Sequence, residues 1–142
     1  MPENGDTIRV GCPHGEEYRP LPEVVSAALE AGTQSGTEVT VTHDPLEAVE
    51  GADIIYTDSW MSYHVPPAEL EARVEALRAF QVDEVKMKHG APSAIFMNCL
   101  PALRGYEQTA AVIDGPQSVV YDQAENRLHT QKAIMVTLLR EA

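Results

Sequence analysis

Five short runs rich in β-branched and aromatic residues recur along the chain, at 7–12, 38–42, 52–57, 94–97 and 118–121. Between them, apolar residues return at helical spacing. Leu21, Val24, Val25, Ala28 and Leu29 mark a helix over 21–31, closed by Gly32 and Gly36. Asp44 and Pro45 cap a short helix over 46–50. Pro66 and Pro67 open another, with Leu70, Val74 and Leu77 on its core face and the pair Glu69–Arg73 on its wet one. A helical piece over 82–88 stops at Gly90, and a brief turn is expected over 109–113. Asp122 and Glu125 read as a D-x-x-E capping box. The helix behind it runs to the C-terminus on Leu128, Ile134, Met135, Leu138 and Leu139. Strand and helix in strict alternation imply an α/β fold: a five-stranded, mostly parallel sheet with helices on both faces. The polar residues 1–6 are expected to fray, leaving one domain over 7–142.

In a parallel sheet, ligands bind beyond the carboxyl ends of the strands. The loops expected at that edge carry Cys12 and His14 after the first strand, and Asp58 and Ser62 after the third. Asn98, Cys99 and Leu100 follow the fourth, which Pro101 must end because it cannot donate to a ladder. Arg127 is expected near the start of the last helix. An arginine beside a helix N-terminus, a carboxylate, a hydroxyl and a thiol suit a small zwitterion or amine held next to a phosphate or carboxylate. Each has an ordinary alternative: Cys12 as a buried small hydrophobe, Arg127 as a salt-bridge partner, Asp58 as a turn cap, His64 as a wet loop residue.

Composition removes other classes. A net charge of −12 disfavours nucleic acid, which needs a basic face. No apolar run approaches the roughly 20 residues that span a bilayer, and no basic segment precedes an apolar one at the start, so a cytoplasmic protein off the membrane is expected. No cofactor is expected. The loop at 13–20 lacks the G-x-G-x-x-G of a dinucleotide site, and Cys12-x-His14 has no second ligand pair to complete a metal site.

The run Asn98-Cys99-Leu100-Pro101, then Arg104-Gly105, then Asp122-Gln123-Ala124-Glu125-Asn126-Arg127, resembles the ornithine carbamoyltransferase family, which has His-Cys-Leu-Pro and Ala-Glu-Asn-Arg at this separation. The stretch 52–62 is similar to that family's strand and Asp-x-x-x-Ser-Met-Gly loop. The resemblance covers nearly the whole chain but only the family's second, Rossmann-like half, which holds the amino substrate. It implies that Asp58 holds the substrate α-amino group and that Ser62, with Tyr63 beside it, lies near the α-carboxylate. It also implies that Cys99 contacts the amine to be carbamoylated, that the Leu100 carbonyl holds the carbamoyl nitrogen, and that Arg127 contacts carbamoyl phosphate. The partners are then a small amine or amino acid, carbamoyl phosphate and a separate carbamoyl-phosphate-binding domain.

Three departures accompany the resemblance. Ser-Met-Gly reads Ser62-Tyr63-His64, which leaves ornithine and a diamine such as putrescine both open. Asn98 replaces the histidine before the cysteine, a group that forms hydrogen bonds but does not titrate. The first domain's Ser-x-Arg-Thr and His-Pro-x-Gln elements are not in these residues, so the chain alone is expected to be inactive. Two other readings stand beside a carbamoyltransferase half: a non-catalytic amine-binding module, and an independent enzyme with Cys99 as nucleophile. The last lacks an adjacent histidine base. Apolar surface on the last helix is expected to stay open and to favour a homo-oligomer.

Overall fold

The alternating residues of Thr7–Gly11 (β1) and Glu38–Thr42 (β2) form a parallel pair, Thr7 opposite Glu38 through Gly11 opposite Thr42. Ile54–Thr57 (β3) and Ile95–Asn98 (β4) form a second, Ile54 opposite Ile95 through Thr57 opposite Asn98. The computed structural model describes residues 6–61 and 65–140. Helices cross over between parallel strands, as they must. Pro22–Ser35 (α1) joins β1 to β2, Pro45–Val49 (α2) leads to β3, and Leu70–Leu77 (α3) and Glu84–His89 (α4) lie between β3 and β4. Ala110–Ile113 (α5) and the 21-residue Val120–Arg140 (α6) complete the chain.

The α/β class with parallel pairing holds, but the expected single sheet of five strands does not. Among the described residues there are four strands in two sheets, β1–β2 and β3–β4. The fifth run is reduced to a bridge from Ser118 to Phe96, in which the Phe96 amide donates to Gln117 O and the Val119 amide to Phe96 O. The Gln123 amide already donates to Val119 O, so the chain turns helical after two paired residues. Val120 is thereby driven into the core with no exposed surface. The same early start removes the expected capping box. Asp122 sits inside the first turn, and the Glu125 carboxylate meets His129 at 3.4 Å, one turn on.

Other elements differ in detail. Gly32 lies inside α1 rather than ending it, and a Cβ there would stand 2.6 Å from the Thr37 carbonyl oxygen, so only glycine fits the close approach. Gly36 ends the helix alone, at φ 79°, where side chains are strained. Asp44 caps α2 as expected, accepting from the Leu46 amide at 2.8 Å, and Thr109 caps α5. Leu70, Val74 and Leu77 are only half-buried, so α3 contributes little to the core. That core gathers around β4: Phe96 at its centre, with Ile55, Val82, Met87, Val112, Ile113 and Val120.

Among the described residues no ladder joins β1 to β3. Arg9 of β1 instead donates to the Glu50 carbonyl at 2.6 Å, and a cleft of about 420 Å³ opens between the two strands. Leu128, Ile134, Met135, Leu138 and Leu139 of α6 are all more than half exposed. No helix among the described residues is long and apolar enough to cross a membrane.

Candidate functional site

β4 ends at Asn98, whose side chain is wholly buried and bonded at both its oxygen and its nitrogen. Its Oδ1 accepts from the Leu100 amide at 2.8 Å and its Nδ2 donates to Gln108 Oε1 at 3.3 Å. The Asn98 amide donates to Gln123 Oε1 of α6 at 3.1 Å. This holds Leu100 at φ 51°, an uncommon value for a side-chain-bearing residue, and projects Cys99 from the strand end. Asn98 is therefore the clamp of the turn that presents the thiol.

β3 ends alongside, and Asp58 follows it. The Cys99 thiol donates to Asp58 Oδ1 at 2.9 Å, and the Ser59 amide donates to the same oxygen at 2.7 Å. The hydrogen bond to Asp58 pushes the Cys99 thiol above its ordinary pKa, and burial and the Asp58 charge act in the same direction. Tyr56, one residue before the end of β3, is raised as well, chiefly by burial and then by Cys99. A thiol beside a carboxylate stays protonated, which counts against Cys99 as a nucleophile. A carboxylate with a neutral thiol and phenol around it is suited to hold an amine.

The loop carrying Asp58 is fixed from behind by groups the sequence did not reveal. Glu107 is fully buried, and its Oε1 accepts from the Trp60 amide at 2.9 Å and from Ser59 Oγ at 3.2 Å. Its Oε2 accepts from the Leu103 amide at 3.0 Å. Gln108, equally buried, links Asn98 to the Leu103 carbonyl. The Arg104 guanidinium holds Asp114 in a bidentate pair at 2.7 and 2.8 Å, which pins the same loop to α5 and keeps the Asp114 carboxyl below its usual range. Glu107 and Gln108 look in sequence like ordinary loop residues. Gln123 lies within the Asp122–Arg127 run, and its side chain reaches the end of β4.

Leu100 adjoins Cys99 in the same turn. Arg127 is not at the start of α6: it lies seven residues in, exposed, because the helix begins at Val120. It sits one turn beyond Gln123 on the same helix face. Ser62 and Tyr63, with His64, lie outside the described residues. Cys12 and His14 do not join the Asp58–Cys99 pair. They turn to the end of β2, where His43 Nδ1 pairs with the Cys12 carbonyl at 2.8 Å and its ring lies 4.2 Å from that of His14. No group of three side chains placed to hold a metal occurs among the described residues.

The protonated state of Cys99 has a measurable consequence. Alkylation by iodoacetamide at pH 8 is expected to be slower at Cys99 than at an unstructured cysteine, since only the thiolate reacts. Asp58→Asn is expected to lower the thiol pKa and speed that alkylation, read by mass spectrometry across pH 7–10. An unchanged rate profile would show that Asp58 does not control the thiol.

The family model for the aspartate/ornithine carbamoyltransferase Asp/Orn-binding domain matches residues 3–138. The ornithine carbamoyltransferase of Methanothermobacter thermautotrophicus is 52% identical over 95% of the chain, and that of Geobacillus stearothermophilus 50% identical over 95%. Among solved structures, ornithine carbamoyltransferase from Pyrococcus furiosus superposes with a TM-score of 0.83 at 47% identity, over 92% of the chain. The chain spans only 44%, 42% and 41% of these three proteins.

Proposed function

This chain belongs to the aspartate/ornithine carbamoyltransferase family, matching its Asp/Orn-binding domain, and from that premise we propose that it binds the amino substrate of carbamoyl transfer. One observation carries the reading: Asp58 and Cys99 arrive from two different strands and meet at 2.9 Å on the carboxyl edge of the sheet. The substrate would be ornithine or a related amine. Its ammonium end is drawn to Asp58, and the amine to be modified lies against Cys99.

In the reaction, a neutral amine attacks the carbamoyl carbon of carbamoyl phosphate. The new C–N bond forms, the C–O bond to phosphate breaks, phosphate leaves with the electron pair, and the amine sheds a proton to solvent. The domain's share is to position the amine, with the Leu100 carbonyl receiving the carbamoyl nitrogen. Arg127, and Ser62 and Tyr63 in the neighbouring loop, are proposed as further contacts to carbamoyl phosphate and to the amino substrate, respectively. A separate carbamoyl-phosphate-binding domain is the proposed partner, and a cytoplasmic role in arginine or ornithine metabolism goes with it. The exposed apolar face of α6 supports self-association or docking to that partner.

Calorimetric titration of the 142-residue chain with ornithine and with putrescine tests the binding claim. Saturable heat with either supports it, and which one binds names the amine. In a colorimetric ureido assay with carbamoyl phosphate, the chain alone is expected to form no product. Measurable turnover would contradict the proposed division of labour.

A further inference from the structure

On the edge of β4 that faces away from β3, strand pairing stops one rung early. The Phe96 amide donates to the Gln117 carbonyl at 2.8 Å, and the Val119 amide to the Phe96 carbonyl at 3.0 Å. In a parallel ladder the next bond would run from the Asn98 amide to the Val119 carbonyl, because alternate residues face the same edge. That carbonyl is taken. It accepts from the Gln123 amide at 2.9 Å, which closes the first turn of α6. Asn98 has no exposed surface, so its amide needs a partner within the protein. The Gln123 side chain supplies one, its Oε1 accepting at 3.1 Å. The same residue thus removes the strand's last acceptor with its backbone and restores it with its side chain.

Gln123 has a second end. A backbone N–H needs an acceptor, so Oε1 is committed to Asn98 and the other end, Nε2, can only donate. The phenol of Tyr56, opposite Met97 on β3, is raised chiefly by burial and then by Cys99, and Gln123 acts on it in the opposite sense, as a donor does. Tyr56 has the same effect on Cys99, against the larger rise that Asp58 causes there. The half-buried Gln123 therefore reaches both strands that build the Asp58–Cys99 wall.

We propose that Gln123 is a positioning residue of the amine-holding wall: through Asn98 it sets the turn that presents Cys99, and through Tyr56 it steadies the thiol against Asp58. It acts through those neighbours and touches no substrate itself. The inference rests on the amine reading for what the wall holds, while the behaviour of the thiol can be read with no amine present.

The test compares Gln123→Glu and Gln123→Leu in the full chain, by iodoacetamide alkylation of Cys99 followed across pH 7–10 by mass spectrometry. Glutamate keeps the oxygen that holds Asn98 but turns the donor facing Tyr56 into a negative charge. The thiol should then ionise less readily, and alkylation at pH 8 should slow by about twofold or more. Leucine keeps the bulk and loses both ends, so the Cys99 turn loosens from Asp58 and alkylation should quicken by about as much. A side chain that only fills space would not split the two variants in sign: rates that move the same way, or not at all, overturn the proposal. Cys12 labelling reports unfolding, and where it rises with that of Cys99 in the leucine variant, the glutamate variant alone decides. In calorimetry with the amine that binds the unaltered chain, Gln123→Leu should weaken binding about fivefold, the worth of one hydrogen bond; unchanged affinity would overturn the role at the amine site. Failure of any amine to bind the unaltered chain would sink the amine reading and leave the alkylation result standing, so the two readings fail separately.

Discussion

Glu107→Ala is expected to destabilise the chain by about 3–5 kcal/mol. The carboxylate is fully buried, and both of its oxygens are engaged, by the Trp60 amide and Ser59 hydroxyl on one side and the Leu103 amide on the other. Alanine leaves two backbone donors without partners, each costing about 1–3 kcal/mol in the interior, and opens a void where the side chain lay. Against a total stability of about 5–15 kcal/mol, that is enough to populate unfolded chains at room temperature. Urea denaturation followed by the fluorescence of Trp60 reads the loss. Glu107→Gln keeps the size and one acceptor, so it should recover part of the deficit. A change below about 1 kcal/mol for the alanine variant would mean that water replaces the carboxylate, and that the loop is not held in the way described.

Asp58→Asn should do the opposite: leave the fold intact and remove the function. Asp58 is exposed, so its replacement is expected to change stability by no more than about 0.5 kcal/mol. The loss of a charge-assisted contact to a cationic amine costs about 1.5–3 kcal/mol, which is roughly a tenfold to hundredfold weakening of amine binding. Calorimetry with the amine that binds the unaltered chain measures it. Equal affinity in the two proteins would place the ammonium elsewhere.

The pair of variants shows where the sequence was legible and where it was not. Asp58 and Cys99 could be picked out because each follows an apolar run, and parallel strands bring such positions to one edge. The cap of α2, Asp44, could be read for a local reason too: a side-chain acceptor just before a helical period. Glu107 could not, because nothing local to Tyr106-Glu107-Gln108 signals burial; its partners lie 47 and 48 residues away as well as four. The fifth run looks like a strand because Val119 and Val120 are β-branched, yet burial of Val120 beneath an early helix start outweighs that propensity. That shift carried Arg127 away from the helix N-terminus with it. The separation of β1 from β3 had no sequence signal, since both runs read as ordinary interior strands.

The most direct test of the amine site is protection of Cys99. The chain is incubated with iodoacetamide at pH 8.5 with and without saturating ornithine, and labelling of Cys99 and Cys12 is counted by mass spectrometry. Ornithine seated against Asp58 should slow labelling of Cys99 severalfold and leave Cys12, buried beside His43, unaffected. Putrescine takes ornithine's place in the assay if calorimetry shows it to be the amine that binds. Cys99 labelling that proceeds at the same rate in the presence of a bound amine would contradict the assignment of Asp58 and Cys99 as the amine-holding wall.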